Sequence, residues 1–212
     1  MHCITTYVSV AIVVTFASHV SGDLVNPDVP DWRGDSGAFY YGWNSFTNAF
    51  DAPNFNDAGD TGGMLFNFAD GAMITSTGNI YNMNTGLNIH VYGYGSVDQA
   101  VMSFASQGTE MQYSNVSMWV SDGITGEYFS ADSWGMNYYE PVEGLGANVT
   151  ATYAWDVSDY EGVISEWAIF INGTEAHNVL DAVSVDVFSA PIPSPGVLGV
   201  FALLGCRRRR RS

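Results

Sequence analysis

Between residues 23 and 190, apolar and polar positions alternate in short runs bounded by Gly, Asn, Asp and Ser, the pattern of strands separated by turns. The clearest strand candidates are Met64–Phe68, Leu87–Tyr92, Val116–Val120, Val149–Val157, Trp167–Ile171 and Val179–Phe188. In the last of these Val183, Val185 and Val187 fall on one side, with Ser184 and Asp186 on the other. Period-2 alternation of that kind predicts one buried face and one wet face. No stretch of ten or more residues sustains a 3.6-residue period, and 23 glycines weigh against helix. The economical fold is all-β: an antiparallel β-sandwich, jelly-roll-like.

Charge narrows the functional classes. The 212 residues hold 22 Asp and Glu against six basic residues, every one an Arg. Five of these stand at 207–211, so residues 23–190 carry 22 acids against Arg33 alone, a formal charge of −21. A body so acidic has no basic surface with which to hold a phosphate backbone, which excludes nucleic-acid binding. At 47% hydrophobic and 14% aromatic residues it has enough apolar surface to form a core. Cys3 and Cys206 lie in the two terminal segments, so no disulfide staples the domain between them.

Both ends read as targeting segments. Tyr7–Val20 is a 14-residue run, apolar apart from Ser, Thr and one His, followed by Ser21-Gly22. It is short for a membrane span and matches the apolar core of a secretory signal, so residues 1–22 are read as a signal peptide with a helical core; a buried N-terminal strand is the alternative. At the other end, residues 191–212 place prolines at 191, 193 and 195, then an apolar run from Gly196 to Cys206, then five Arg. The prolines make a stiff break. Eleven residues form a helix of about 16 Å, against a hydrocarbon core of about 30 Å. A short apolar helix capped by cations acts as a temporary stop in the membrane during export.

This tail resembles the C-terminal sorting segment of the PEP-CTERM family of bacterial exported proteins. The residues that carry the resemblance are Pro193, Ser194, Pro195 and Gly196 with Arg207, Arg208, Arg209, Arg210 and Arg211. Pro-Ser-Pro-Gly stands where the family's namesake motif has Pro-Glu-Pro. The resemblance implies recognition by an exosortase-like membrane transpeptidase, transient membrane anchoring, and delivery to the cell surface or extracellular matrix. Val179–Phe188 is also similar to the last strand of jelly-roll domains that bear such tails, and Ile74–Tyr81 to an early hairpin in them.

Candidate chemistry within residues 23–190 is sparse. Asp51, Asn54, Asn56, Asp57 and Asp60 form the densest polar cluster, offering oxygens suited to Ca²⁺, although the spacing is not that of an EF-hand. The same residues also suit an exposed turn. From this cluster Asp51, Asn56, Asp57 and Asp60 are the expected ligands of a structural Ca²⁺, with Asp181 a second candidate. Glu161 with Glu166, or Glu140 with Glu143, could face a glycosidic bond, but 22 acids make such spacings common by chance. His90 and His177 occur without a Gly-x-Ser-x-Gly elbow or a Cys, so no nucleophilic triad is indicated. Of six tryptophans, Trp134, in a Gly-, Ser- and Tyr-rich stretch, is the expected ligand-binding ring for an extracellular polysaccharide, the others filling the core. The expectation is an exported, non-enzymatic surface protein, with a carbohydrate-binding module as the alternative and a glycoside-active enzyme behind it.

Overall fold

The computed structural model describes residues 24–190. The signal peptide expected at 1–22, the tail at 191–212 with its Pro193–Gly196 and Arg207–Arg211 motif, and the helix expected at each end lie outside these described residues.

The strands, in chain order, are β1 (Ala38–Trp43), β2 (Asn54–Phe55), β3 (Ala58–Gly59), β4 (Met64–Asn67), β5 (Ala72–Ile74), β6 (Ile80–Asn82) and β7 (Asn88–Tyr94). They continue as β8 (Gln99–Gly108), β9 (Ser117–Ser121), β10 (Gly126–Ser130), β11 (Ser133–Val142), β12 (Gly146–Asp156), β13 (Glu166–Asn172) and β14 (Asn178–Phe188). A single 3₁₀ turn, Tyr113–Asn115, links β8 to β9. Among the described residues there is no α-helix. All six runs singled out by alternation are strands. The protein is all-β, built of two antiparallel sheets. The first runs β11-β12-β8-β14-β1-β3, with the β5–β6 hairpin joined to it through β6 and β14; the second runs β10-β9-β13-β7-β4-β2.

Alternation explains how the two sheets meet. Val183, Val185 and Val187 of β14 and Trp167, Ile169 and Ile171 of β13 are buried in one shared core with Met102, Phe104 and Tyr153. A fully buried Val, Ile or Met contributes about 2 kcal/mol through loss of apolar surface from water. Packing is close enough to dictate glycine at one point. A Cβ on Gly93 would lie 2.1 Å from the Trp167 ring, so a residue without a side chain sits inside β7 beneath the indole.

The expected wet face of β14 is a correction. Ser184 and Asp186 do point away from the valines, yet they are 3% and 1% exposed. Residues 24–37 cross the outer face of the first sheet like a strap. The Val25 N–H donates to Thr150 Oγ1 at 3.1 Å, Asn137 donates to Asp28 at 2.9 Å, and the Trp32 and Phe188 rings meet at 5.6 Å. Beneath the strap the outward polar groups pair among themselves, as Ser103 and Thr152 do at 2.7 Å. The buried Asp186 carboxylate accepts two hydrogen bonds from the guanidinium of Arg33, whose charge also lies 4.3 Å from the centre of the Tyr40 ring. The lone Arg of an acidic body therefore fastens the strap onto the sheet.

Candidate functional site

Strand β11 is the edge of the first sheet, and it overhangs. Trp134 pairs with Tyr153 and Met136 with Ala151, both core positions, so Trp134 and Met136 point inward between the layers. They are nevertheless 47% and 41% exposed, because the facing edge strand β10 does not cover them. Opposite them stands the 3₁₀ turn. Between turn and strand lies a groove of about 530 Å³, floored by the buried Met111 and Tyr113 and lined by Gln112, Ser114, Asn115, Trp134 and Met136.

Both walls are held firmly. The Trp134 ring stacks on Tyr153 at 5.9 Å with 10° between planes; Tyr153 stacks in turn on Phe104, and Phe104 on Tyr113, each at 5.9 Å. One face of the indole is thus backed by a buried aromatic ladder, while the ring as a whole is 47% exposed and also borders Asp28, Val29 and Pro30 of the strap. The Tyr153 hydroxyl donates to the Tyr113 carbonyl at 2.8 Å, and the Tyr113 and Ser106 hydroxyls bond at 2.9 Å. The Gln112 N–H donates to the Asn172 carbonyl at 2.8 Å, which ties the turn to the second sheet. Burial pushes the Tyr153 and Tyr113 phenols up from their usual range, so both stay neutral. Glu110 accepts from the Tyr139 hydroxyl at 2.9 Å, which raises that phenol as well.

Among the described residues, no charged one lines this groove. Its chemistry is a half-exposed indole and a thioether on one side, with two amides and a hydroxyl on the other. The side chains of Gln112, Ser114 and Asn115 make no hydrogen bond with the described residues. Such a set can cover the apolar face of a sugar ring while bonding its hydroxyls.

The other candidates lie elsewhere. Asp57 accepts from the main-chain N–H groups of Asn44 and Ser45, at 3.0 and 3.1 Å, and Asp60 from that of Tyr40 at 2.9 Å. Asn56 donates to the Ala58 carbonyl at 2.9 Å, and the buried Asn54 accepts from the N–H groups of Thr47 and Asn48 at 2.8 Å. Asp51 is exposed at the loop's start, with φ 50°. Asn54, Asn56, Asp57 and Asp60 thus bond main-chain groups, mostly those of β1 and the segment that follows it, and no three acidic, His or Cys side chains gather for a metal among the described residues. Asp181, at the bulge of β14, accepts from Asn79. Glu140 accepts from the Tyr138 hydroxyl at 2.7 Å, and this bond holds its carboxyl below the usual range, opposite to the need of a general acid. His90 bonds Asn88 at 2.9 Å and Tyr92 at 3.1 Å, and burial lowers its pKa. His177 bonds Tyr81 at 2.7 Å, immediately before β14.

Of the six tryptophans, Trp43, Trp155 and Trp167 are buried, whereas Trp134 is the most open to solvent of those beside a groove. Sequence reasoning singled out this ring but not the residues that face it across the groove. Gln112, Ser114 and Asn115 belong to an irregular connection with no periodicity, and only the topology sets them opposite β11. No protein-family model and no curated protein matches this chain.

Proposed function

We propose that this is an exported cell-surface or extracellular-matrix protein that binds uncharged polysaccharide in the Trp134 groove and is not an enzyme. The observation that carries the binding reading is a half-exposed indole backed by Tyr153 on one face and facing unpartnered amides in an uncharged groove. A body of charge −21 repels anionic polymers and attracts cations, while a groove without charge gives neither a direct partner. An uncharged glycan is the ligand that both conditions favour. The PEP-CTERM-like tail supplies the address. An exosortase-like membrane transpeptidase would act at Pro193–Gly196 while the apolar run and Arg207–Arg211 hold the chain briefly in the membrane. The jelly-roll-like reading of the fold rests on the chain's repeated crossing between sheets, from β7 to β8 to β9 and from β12 to β13 to β14.

Titration calorimetry of the full chain against uncharged and uronic-acid oligosaccharides tests this reading. Uncharged oligosaccharides bind, and Trp134→Ala weakens binding at least tenfold, about 1.4 kcal/mol, with the circular dichroism of the folded protein retained. Equal binding by the variant, or preference for uronic acids, rejects the proposal.

A further inference from the structure

The second sheet presents an aromatic outer face. Its alternation runs against the usual rule: Leu65, Ile89, Val91 and Ile169 fill the core, while the opposite positions are also largely apolar. Met64, Tyr92, Ala168, Trp119 and Tyr128 form one row across β4, β7, β13, β9 and β10, and Phe66, His90 and Phe170 form the next. Strands that are apolar on both sides are characteristic of sheets covered on both sides. Here nothing among the described residues covers the outer one, and Phe55, Tyr94 and Tyr128 are each 67% exposed.

We infer that this face is an interface with a second copy of the same chain. Charge is the first argument. Among the outward positions of these six strands the one acid is Glu166, at an end of β13, within a body that carries 22. Acids are therefore sparse on this face, and two copies can meet there with few opposing charges. Ring geometry is the second. Phe66 meets Tyr92 at 85°, Phe68 meets His90 at 70°, and His90 meets Phe170 at 85°. Phe66 and Phe68 lie parallel, with 3° between planes, and Tyr128 is tilted at 39° to Phe170, so the rings of this face stand at mixed angles. Such an uneven surface suits interdigitation with protein side chains better than the flat face of a pyranose. Area is the third. Strands of these lengths, at about 3.3 Å per residue and 4.8 Å between strands, give roughly 500 Å² of flat sheet per copy. The pair would bury on the order of 1,000 Å², the lower end for specific association, in a two-fold, self-complementary contact. The dimer is therefore weak, and it tightens as salt screens the repulsion between two acidic bodies.

Sedimentation velocity of the full chain, over a range of concentration and at low and high NaCl, tests this without reference to glycan. The expected result is a monomer–dimer equilibrium whose dimer fraction rises with salt. Tyr128→Glu with Phe55→Glu should weaken association at least tenfold while leaving the circular dichroism and melting temperature unchanged; Tyr128→Phe should retain it. A monomer at every concentration and salt overturns the inference, as does a dimer that survives the glutamates. So does protection of Tyr128 by added uncharged polysaccharide or by the chain's own terminal apolar runs, in place of a second copy. Loss of glycan binding in Trp134→Ala with the dimer intact leaves it standing, so this inference and the proposed function fail separately.

Discussion

Arg33 and Asp186 show how much one ion pair can decide in this molecule. Asp186 is almost wholly covered, and burial raises its pKa more strongly than the Arg33 hydrogen bonds and charge lower it. A carboxyl whose folded pKa is raised adds stability below its unfolded pKa and loses that contribution as pH rises through the folded value. At neutral pH the anion is therefore tolerated because Arg33 holds it. Arg33→Met leaves a buried, unpartnered carboxylate and should cost about 3 kcal/mol at pH 7, the low end for a broken buried pair, since the Arg33 side chain is 30% exposed. The loss should shrink as pH falls and Asp186 takes up a proton. Adding Asp186→Asn should restore most of it at pH 7. Thermal unfolding across pH measures this, and a deficit that stays constant from pH 7 to pH 4 contradicts it. The residue-level signal was present in the sequence, in one Arg among 22 acids. Its partner was not, because Ser184-Val185-Asp186 alternates like any half-exposed strand while the strap above it has no period.

At the scale of elements, legibility followed the polarity of the outward positions. Strands with polar residues opposite the core, such as β12 and β14, declared themselves by alternation. Strand β8 did not, since its outward Ser103 and Ala105 lie under or beside neighbouring chain and are small rather than polar-exposed. Strand β11 was hidden for the opposite reason: an overhanging edge, bulged between Met136 and Tyr138, buries too little to show a pattern. The polar loop from Asp51 to Gly63 was legible as a dense cluster, and its role as a set of main-chain caps follows from contacts with Tyr40, Asn44 and Ser45 that are distant in sequence. Tyr153 joins the two walls of the groove, stacking on Trp134 and donating to the turn. Tyr153→Phe keeps the stack and removes the second link. It should lower glycan affinity three- to tenfold, with a loss of about 1 kcal/mol in stability. Unchanged affinity with the stability loss alone would show that the turn holds its place without this bond.

Across the described residues, the acidic body carries an edge groove without a charged lining residue and, on the second sheet, an aromatic outer face whose one outward acid is Glu166. The first was half readable, through Trp134. The second was written in Met64-Leu-Phe-Asn-Phe68 and His90-Val-Tyr92, whose outward positions are as apolar as their inward ones. Under the proposed function, the tail would give these surfaces their setting. A secreted reporter fused to residues 190–212 should be processed in a host carrying an exosortase-like enzyme, and replacing Arg207–Arg211 with Ser should abolish that processing. Processing that ignores the arginines would remove the sorting role.

The most direct measurement of the binding claim is heteronuclear NMR of the labelled full chain during titration with an uncharged oligosaccharide. The account predicts that the Trp134 indole N–H and the side-chain amides of Gln112 and Asn115 shift together and saturate at one affinity, while the Trp119 indole on the outer face of the second sheet stays in place. Shifts at Trp119 without Trp134, or no shift at any of these groups, would contradict it.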